Sequence, residues 1–470
     1  MSVSPCYFAY LDIENEIAMC LICGLGEEMA SPIGPVVLAA DENARAFAQS
    51  VAPAASSSRN PPLHATAEMR RLATPWAVAA ARARLLADCK LSPGVILDPA
   101  CGSATQLVAL CCELEAAGIG VELDGAAAPL AAVNLARCAE WTDEDDDGAG
   151  AWGSSSRVLW GNGLDADGVM EAYRASTGEE DFRISLFHVD PERPVDAQRH
   201  TLDEMQPRLD LLLKAWAPYL SVDGEIPALI LDLSPRLSNQ QRSEIEDIID
   251  SLWPKAARTW QWLTQGRGRI DRLSLWVGPV ASTSPTRLVR LRKDGHLVTL
   301  KGDTTDTEES VNAEVSIGDW VTLVDPALLG SGLASEWLDT AIAPDSKREW
   351  LRCEGRRPLL LTDTQLEEDE IAAAFCSISG EVVCLAFTDW HIVDQDAIAA
   401  TAQGLAEEAI DAGLTSLHLR CSMNPELQPK MQSAIDRAIR RLNTESDDES
   451  RGFLVETDSV PLQHLLCRIP

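Results

Sequence analysis

Apolar residues recur along the chain in two rhythms. Blocks such as "GVILD", "GIGVE", "RVLW", "ISLFHV" and "ALILDL" are continuous apolar runs of strand length. Others, "TQLVALCCELEAA", "AAAPLAAVNLARCAEW", "LDEMQPRLDLLLKAWAPYL" and "NQQRSEIEDIIDSLW", space their apolar positions as helices do. The pattern predicts strands near 94–98, 118–122, 157–161, 183–190 and 227–233 with helices between them. Two more, near 257–262 and 271–277, are joined by "TQGRGRID" with no helix between, so they form a hairpin. Apolar strands alternating with helices imply a parallel sheet covered on both faces. A helix in "LATPWAVAAARARLLADC" precedes the first strand, with Thr74 placed to cap its free amides and Pro75 in its first turn.

The rhythm breaks at a small-residue stretch near 53–62, and acidic runs at 142–156, 302–310 and 443–450 read as solvated loops. Beyond "ASTSPT" the order changes. "LVRLRKDGHLVTL" is a hairpin around Asp294 and Gly295, "GDWVTLVDP" is a strand, and helices are expected near 395–412 and 425–442. The chain is therefore expected to hold an N-terminal segment (1–60), an α/β domain (65–280) and a separate α+β domain (285–470).

A length of 470 residues, 46% of them hydrophobic, suits more than one core. No apolar run approaches the roughly 20 residues that cross a bilayer, and the opening residues carry acids where a signal segment would be basic. A cytoplasmic protein without membrane contact is expected. The 13 cysteines are odd in number, and Cys111, Cys112 and Cys384 lie in apolar runs, which argues for buried thiols. Cys20 and Cys23 have metal-like spacing but lack a second pair, so no metal is expected. Net charge is −34 with only seven lysines, a surface suited to concentrated salt and unlike the overall footprint of a nucleic-acid binder.

Candidate chemistry gathers where the strands end. In open parallel sheets ligands bind beyond the carboxyl ends of the strands. Asp98 ends the first strand and Glu122 the second, with Pro99, Ala100, Cys101, Gly102 and Ser103 in the bend between strand and helix. A carboxylate ending the second strand suits the two hydroxyls of a ribose. A pyrophosphate would be repelled by Asp98 and finds no G-x-G-x-x-G in "DPACGSATQ". A cofactor bearing an ammonium and a sulfonium, as S-adenosyl-L-methionine does, is attracted instead.

"VILDPACGSATQLVAL", "GVELDGAAAPLAAVNLAR", "ISLFHVDPERP", "ALILDLSP" and "WQWLTQGRGRIDRLSLWVG" together resemble the class I S-adenosylmethionine-dependent methyltransferases, of the group that joins this domain to a C-terminal THUMP-like domain. "DWVTLVDPALLGSGL" and "LTSLHLRCSMNPELQPKM" resemble that second part. The resemblance implies a Rossmann-like seven-stranded sheet, with Asp98, Pro99, Ala100, Gly102 and Ser103 around the methionine part of the cofactor and Glu122 on its ribose. Where relatives place a Gly-Asp pair this chain has Gly161 and Asn162, with Asp165 as an alternative acid; the commonest glycine of the first motif is Ala104.

At the fourth strand end Asp190 and Pro191 fit the amino-methylating pattern, in which a carboxylate orients an amine beside a flipped base. Glu192 and Arg193 depart from it, and Arg193 is expected either to bind a phosphate or to pair with Asp190. His188 reads as a satisfied core histidine ahead of a catalytic base, and Ser234 with Pro235 either lines the crevice or makes a turn. The opening "YFAYLDIENEIAMCLICGL" has a faint likeness to archaeal tRNA guanine-N2 methyltransferases. Arg420, Lys430, Arg437, Arg440 and Arg441 concentrate positive charge in the tail, either for RNA phosphates or as a solvated helix end. The expected function is a methyltransferase acting on RNA, tRNA first; the alternative is a cofactor-binding protein that has lost transfer and serves as an RNA-binding or scaffold module.

Overall fold

The computed structural model describes residues 7–13, 16–22, 34–54, 60–143, 152–192, 202–221, 224–310, 313–386, 395–443, 450–457 and 464–470. The chain divides into two compact units, residues 1–261 with 272–283, and residues 262–271 with 284–470.

The first unit opens with an antiparallel pair, β1 (Tyr7–Ile13) and β2 (Glu16–Ile22). The short β3 (Val36–Val37) and the helices α1 (Glu42–Val51), α2 (Ala67–Leu72) and α3 (Trp76–Arg84) follow. The alternating part then runs β4 (Val95–Asp98), α4 (Thr105–Leu114), β5 (Gly118–Glu122), α5 (Ala128–Asp143), α6 (Trp152–Ser155), β6 (Arg157–Trp160), α7 (Ala166–Thr177), β7 (Ile184–Val189), α8 (Leu209–Leu220), β8 (Leu229–Leu233) and α9 (Asn239–Leu252). The strands β9 (Arg258–Thr264), whose last three residues are counted with the second unit, and β10 (Arg272–Val277) follow. All seven strands read from the sequence are present. Among the described residues the sheet is nevertheless larger than the seven strands expected, and the eight from β3 to β10 stand in the order β9–β10–β8–β7–β4–β5–β6–β3.

β4 to β8 are mutually parallel, whereas β10 runs antiparallel to β8 and β3 antiparallel to β6. The order turns back at β4, which has β5 on one side and β7 on the other, so the crevice opens there at the carboxyl ends. Ile96, Leu186, Ile230 and Trp276 of the sheet pack with Ala79, Ala83, Leu107, Val108 and Leu135 of the covering helices into one core. The segment before the linker is part of this unit. Ala48 of α1 packs on Leu130 and Val133 of α5, and Arg45 pairs with Glu140.

One sequence expectation about α3 does not hold. Pro75 is the residue that caps it, without a side-chain bond, and the Thr74 hydroxyl instead accepts from the Arg272 guanidinium at 2.8 Å. A charged donor offers Thr74 a stronger bond than a helix amide would.

The second unit contains the hairpin β11 (Thr286–Leu291) and β12 (Leu297–Gly302), turning at Asp294 and Gly295 as the pattern predicts. After it come β13 (Trp320–Val324), α10 (Pro326–Gly330), α11 (Ala334–Ala341), β14 (Arg348–Arg352), β15 (Leu359–Thr362), α12 (Glu370–Phe375) and β16 (Cys376–Ala386). The chain ends with α13 (Gln395–Asp411), β17 (Ser416–Leu419), α14 (Gln428–Leu442), β18 (Arg451–Glu456) and β19 (His464–Arg468). β13 to β19 form a sheet of order β14–β15–β13–β16–β19–β18–β17, in which β17 and β18 are parallel. Leu405, Ala409, Met431, Ile435 and Leu454 fill the core that includes α13 and α14. Among the described residues no helix is long and apolar enough to cross a membrane.

The loop after β6 lies directly on the bend after β4. A Cβ at Gly163 would stand 2.0 Å from the Pro99 carbonyl oxygen, and the buried Trp216 indole donates to the Gly163 carbonyl at 2.8 Å. Gly163→Ala is therefore expected to cost about 1–3 kcal/mol in denaturant titration. Gly404→Ala, where the added methyl meets nothing within 4 Å inside α13, should leave stability unchanged or raise it by up to about 1 kcal/mol.

Candidate active site

Parallel strands of matched register bring Asp98, Glu122, Asn162, Asp190 and Ser234 to one edge of the sheet, each at or just beyond a strand's carboxyl end. The bend after β4 is built on two left-handed residues, Gly102 at φ 53° and Ala104 at φ 59°. Glycine is at home in that region; alanine there carries a steric cost of about 1 kcal/mol or more. The Ala104 methyl is fully buried in the core, so it does not narrow the crevice. Ser103 is buried as well, its hydroxyl 2.8 Å from that of Thr105 and its carbonyl accepting from Asn134 at 2.9 Å. The same Asn134 amide is bonded to both the carbonyl and the N–H of His64, which ties the segment before α2 to the bend.

Glu122 is half-buried and braces the bend. Its Oε2 accepts the Gly102 N–H and its Oε1 the Asp124 N–H, both at 2.8 Å. Burial pushes its carboxyl up from the ordinary range and the two amides oppose that. A carboxylate offers about four acceptor positions; two are used here, and two remain for a vicinal diol. Leu123, the next residue, leaves its side chain 55% exposed, an apolar surface beside the acid that sequence pattern did not single out.

Asp98 does not present its charge as the sequence suggested. It is 2% exposed, with Oδ1 accepting the Ala100 N–H at 3.2 Å and Oδ2 lying 2.7 Å from His188 Nδ1. His188 Nε2 lies 3.4 Å from Oδ2 of Asp232, whose two oxygens are also held by both terminal nitrogens of Arg82. Arg82 in turn donates to Gln106 at 3.0 Å. All four charged side chains are almost wholly buried. Burial pulls the His188 pKa down, but the Asp98 charge and bonds to both acids outweigh it and raise the pKa to about 9. Asp232, which burial would push up, is drawn down to about 2 by Arg82 and His188. The row is two anions and two cations, electrically neutral. His188 is thus a charged core residue, and the field of Asp98 is cancelled within the protein.

Asp190 follows His188 and behaves differently. Its side chain is exposed at the carboxyl end of β7. Burial and then the charge of Asp232 push its pKa up, against the pull of Arg272, His188 and Arg82. Arg272 opens β10, and because β10 is antiparallel to β8 it reaches the same sheet edge as the carboxyl ends. Pro191 is buried, and the Glu192 backbone forms a bridge with Gln206, N–H to carbonyl in both directions at 2.9 Å. Arg193 lies outside the described residues, as does Cys23 of the Cys20 and Cys23 pair. The Ser234 hydroxyl accepts the Arg236 N–H at 3.2 Å, a turn contact.

Beyond β6, Asn162 is exposed and its Oδ1 accepts the Leu164 N–H. Asp165 caps α7 by accepting the Gly168 N–H at 3.1 Å, which engages the acid offered as the alternative to Asn162.

No family model matches the chain, and no curated protein matches it. Among solved structures, a proposed class I S-adenosylmethionine-dependent methyltransferase from Listeria monocytogenes is 15% identical, over 45% of this chain and 61% of its own, with a TM-score of 0.27. The methyltransferase subunit of a type I restriction-modification system from Streptococcus thermophilus is 13% identical over 47% of each chain, TM-score 0.29. An rRNA methyltransferase from Streptomyces viridochromogenes is 18% identical over 48% of this chain and 89% of its own, TM-score 0.28. The chain spans less than two thirds of the length of the first two. At such identities and TM-scores these likenesses carry none of the argument below, which rests on the site's own geometry.

Removing one member of a buried neutral row leaves an unbalanced charge. Arg82→Met is expected to lose about 3–5 kcal/mol of stability, and the double variant Arg82→Met with Asp232→Leu to recover much of it. The pH dependence has a definite sign. Stability from the His188 imidazolium is complete below its unfolded value of 6.5 and is lost as pH rises through about 9. Stability from Asp232 is present above 3.8 and lost as pH falls through about 2. The stability difference between wild type and His188→Gln in denaturant titrations should be flat from about pH 4 to 6.5, then shrink by about 3 kcal/mol toward pH 9.

Proposed function

We propose that the first unit binds S-adenosyl-L-methionine and transfers its methyl group to RNA, tRNA being the first candidate. The second unit, read as THUMP-like, contributes to substrate binding. The observation that carries the reading is Glu122: a half-buried carboxylate at the carboxyl end of β5, locked to the bend by Gly102 and Asp124, with acceptor positions left for a ribose. Nothing stands within 4 Å of where a Gly102 side chain would be, so a ligand can approach that backbone closely.

When bound, the cofactor supplies an electrophilic methyl group. Glu122 would hold its ribose, the backbone of Ala100 and Gly102 its methionine part, and Asn162 the edge of its base. With Asp98 cancelled by His188, attraction for a cation falls to Glu122 and Asp190. Asp190 has a raised pKa, as suits a group that accepts an N–H from a substrate amine and takes up a proton. Arg272 and Arg82 keep it from rising further. On α14, Lys430, Arg437 and Arg441 recur on the exposed side opposite Met431, Ile435 and Ile439, an arrangement fit for phosphates in a chain of otherwise acidic surface.

A second reading is a cofactor-binding module without transfer, serving RNA binding or scaffolding. The closed backbone bridge between Glu192 and Gln206, at the place of the second proline in the amino-methylating pattern, favours it.

Calorimetric titration with S-adenosylhomocysteine in concentrated salt should show binding that weakens roughly 10- to 100-fold in Glu122→Gln. Absence of binding at millimolar ligand overturns both readings. Labelled-methyl transfer to total RNA that is lost in Asp190→Ala supports the enzyme. Binding of cofactor and RNA with no transfer supports the module.

A further inference from the structure

A second cluster of chemically capable side chains lies in the C-terminal unit. β17 and β18 are parallel, so their carboxyl ends share one edge of the sheet, and β19 starts at that edge as the return strand from β18. Cys421 lies two residues past β17, Glu456 ends β18, and His464 begins β19 directly opposite Glu456. The Arg420 N–H donates to the Leu454 carbonyl at 2.8 Å and carries the pairing on to Cys421. One donor atom from each of Cys421, Glu456 and His464 lies within 4.8 Å of the others, and Cys421 and His464 are buried.

We infer that these three residues form a zinc site with an open fourth position. Thiolate, imidazole and carboxylate are the donors a tetrahedral zinc ion takes, at about 2.3 Å for sulfur and about 2.0–2.2 Å for nitrogen and oxygen. Such bonds hold donors about 3.3–3.8 Å apart, so donors already within 4.8 Å of one another need close by no more than about 1.5 Å. One thiolate and one carboxylate balance the dication, which removes the cost of burying either charge alone. The frame around the donors is braced. Arg357 donates to the Cys421 carbonyl at 2.5 Å, Arg352 to the Glu456 carbonyl at 3.4 Å, and the Ser422 N–H to Oε1 of Glu456 at 2.8 Å.

The sequence could not offer this site. Its members come from three stretches with no C-x-x-C or H-x-x-x-H spacing, and only the strand order unites them. It makes no use of the crevice in the first unit, so cofactor binding and zinc binding stand or fall separately.

The full-length protein, stripped with chelator and titrated with zinc against a chromophoric competitor, should take up one ion per chain with Kd below about 10 µM. Its cobalt derivative should show a sulfur-to-metal charge-transfer band in the near ultraviolet. The band should vanish in Cys421→Ser, weaken at least tenfold in apparent affinity in His464→Gln, and persist in Cys20→Ser. No uptake against the competitor, or a band unchanged in Cys421→Ser, overturns the assignment. Where a variant fails to melt cooperatively, X-ray absorption of the zinc-loaded wild type decides: one sulfur among nitrogen and oxygen neighbours supports the site, and none or two or more sulfurs overturns it.

Discussion

The buried row of Asp98, His188, Asp232 and Arg82 is the constraint on which the first unit is built. It runs across the carboxyl-terminal halves of three neighbouring strands and ends on the helix that precedes them. Each charge there is tolerable only because the next one is in place. The row therefore links β4, β7, β8 and α3 at the carboxyl ends of the strands and decides which acids are spent inside the protein.

That decision shapes the site. Reading charge sign along the chain credited Asp98 with attracting a cation. The tertiary structure gives Asp98 to His188, while Glu122 and Asp190 keep exposed surface at the same sheet edge. Glu122 is held by two backbone amides, so its position is set before any ligand arrives. Asp190, though exposed, has its pKa pushed up by burial and by Asp232 and pulled back by Arg272.

Much of this architecture was legible. The strands came from continuous apolar runs, the helices from spacing, and the strand-end acids Asp98 and Glu122 from the rule that parallel sheets bind at their carboxyl ends. What escaped were pairings at long range. Asp232 stands inside "ALILDL" and was read as part of a strand, Arg82 as one position of a helix, and Thr74 as a cap. An acid within an apolar strand is a signal that a buried cation must face it, but the sequence does not say which one. His188 and Arg82 are 44 and 150 residues from Asp232.

The primary sequence by itself determined the periodicities, the alternation of strand and helix, and the residue types at strand ends, because these depend on neighbours a few positions apart. Only the tertiary structure decided which charges cancel and which donors converge. Coulomb energy and ligand geometry depend on distance through space, and Asp98 with His188, or Cys421 with His464, become neighbours only when the order of strands in the sheet is settled.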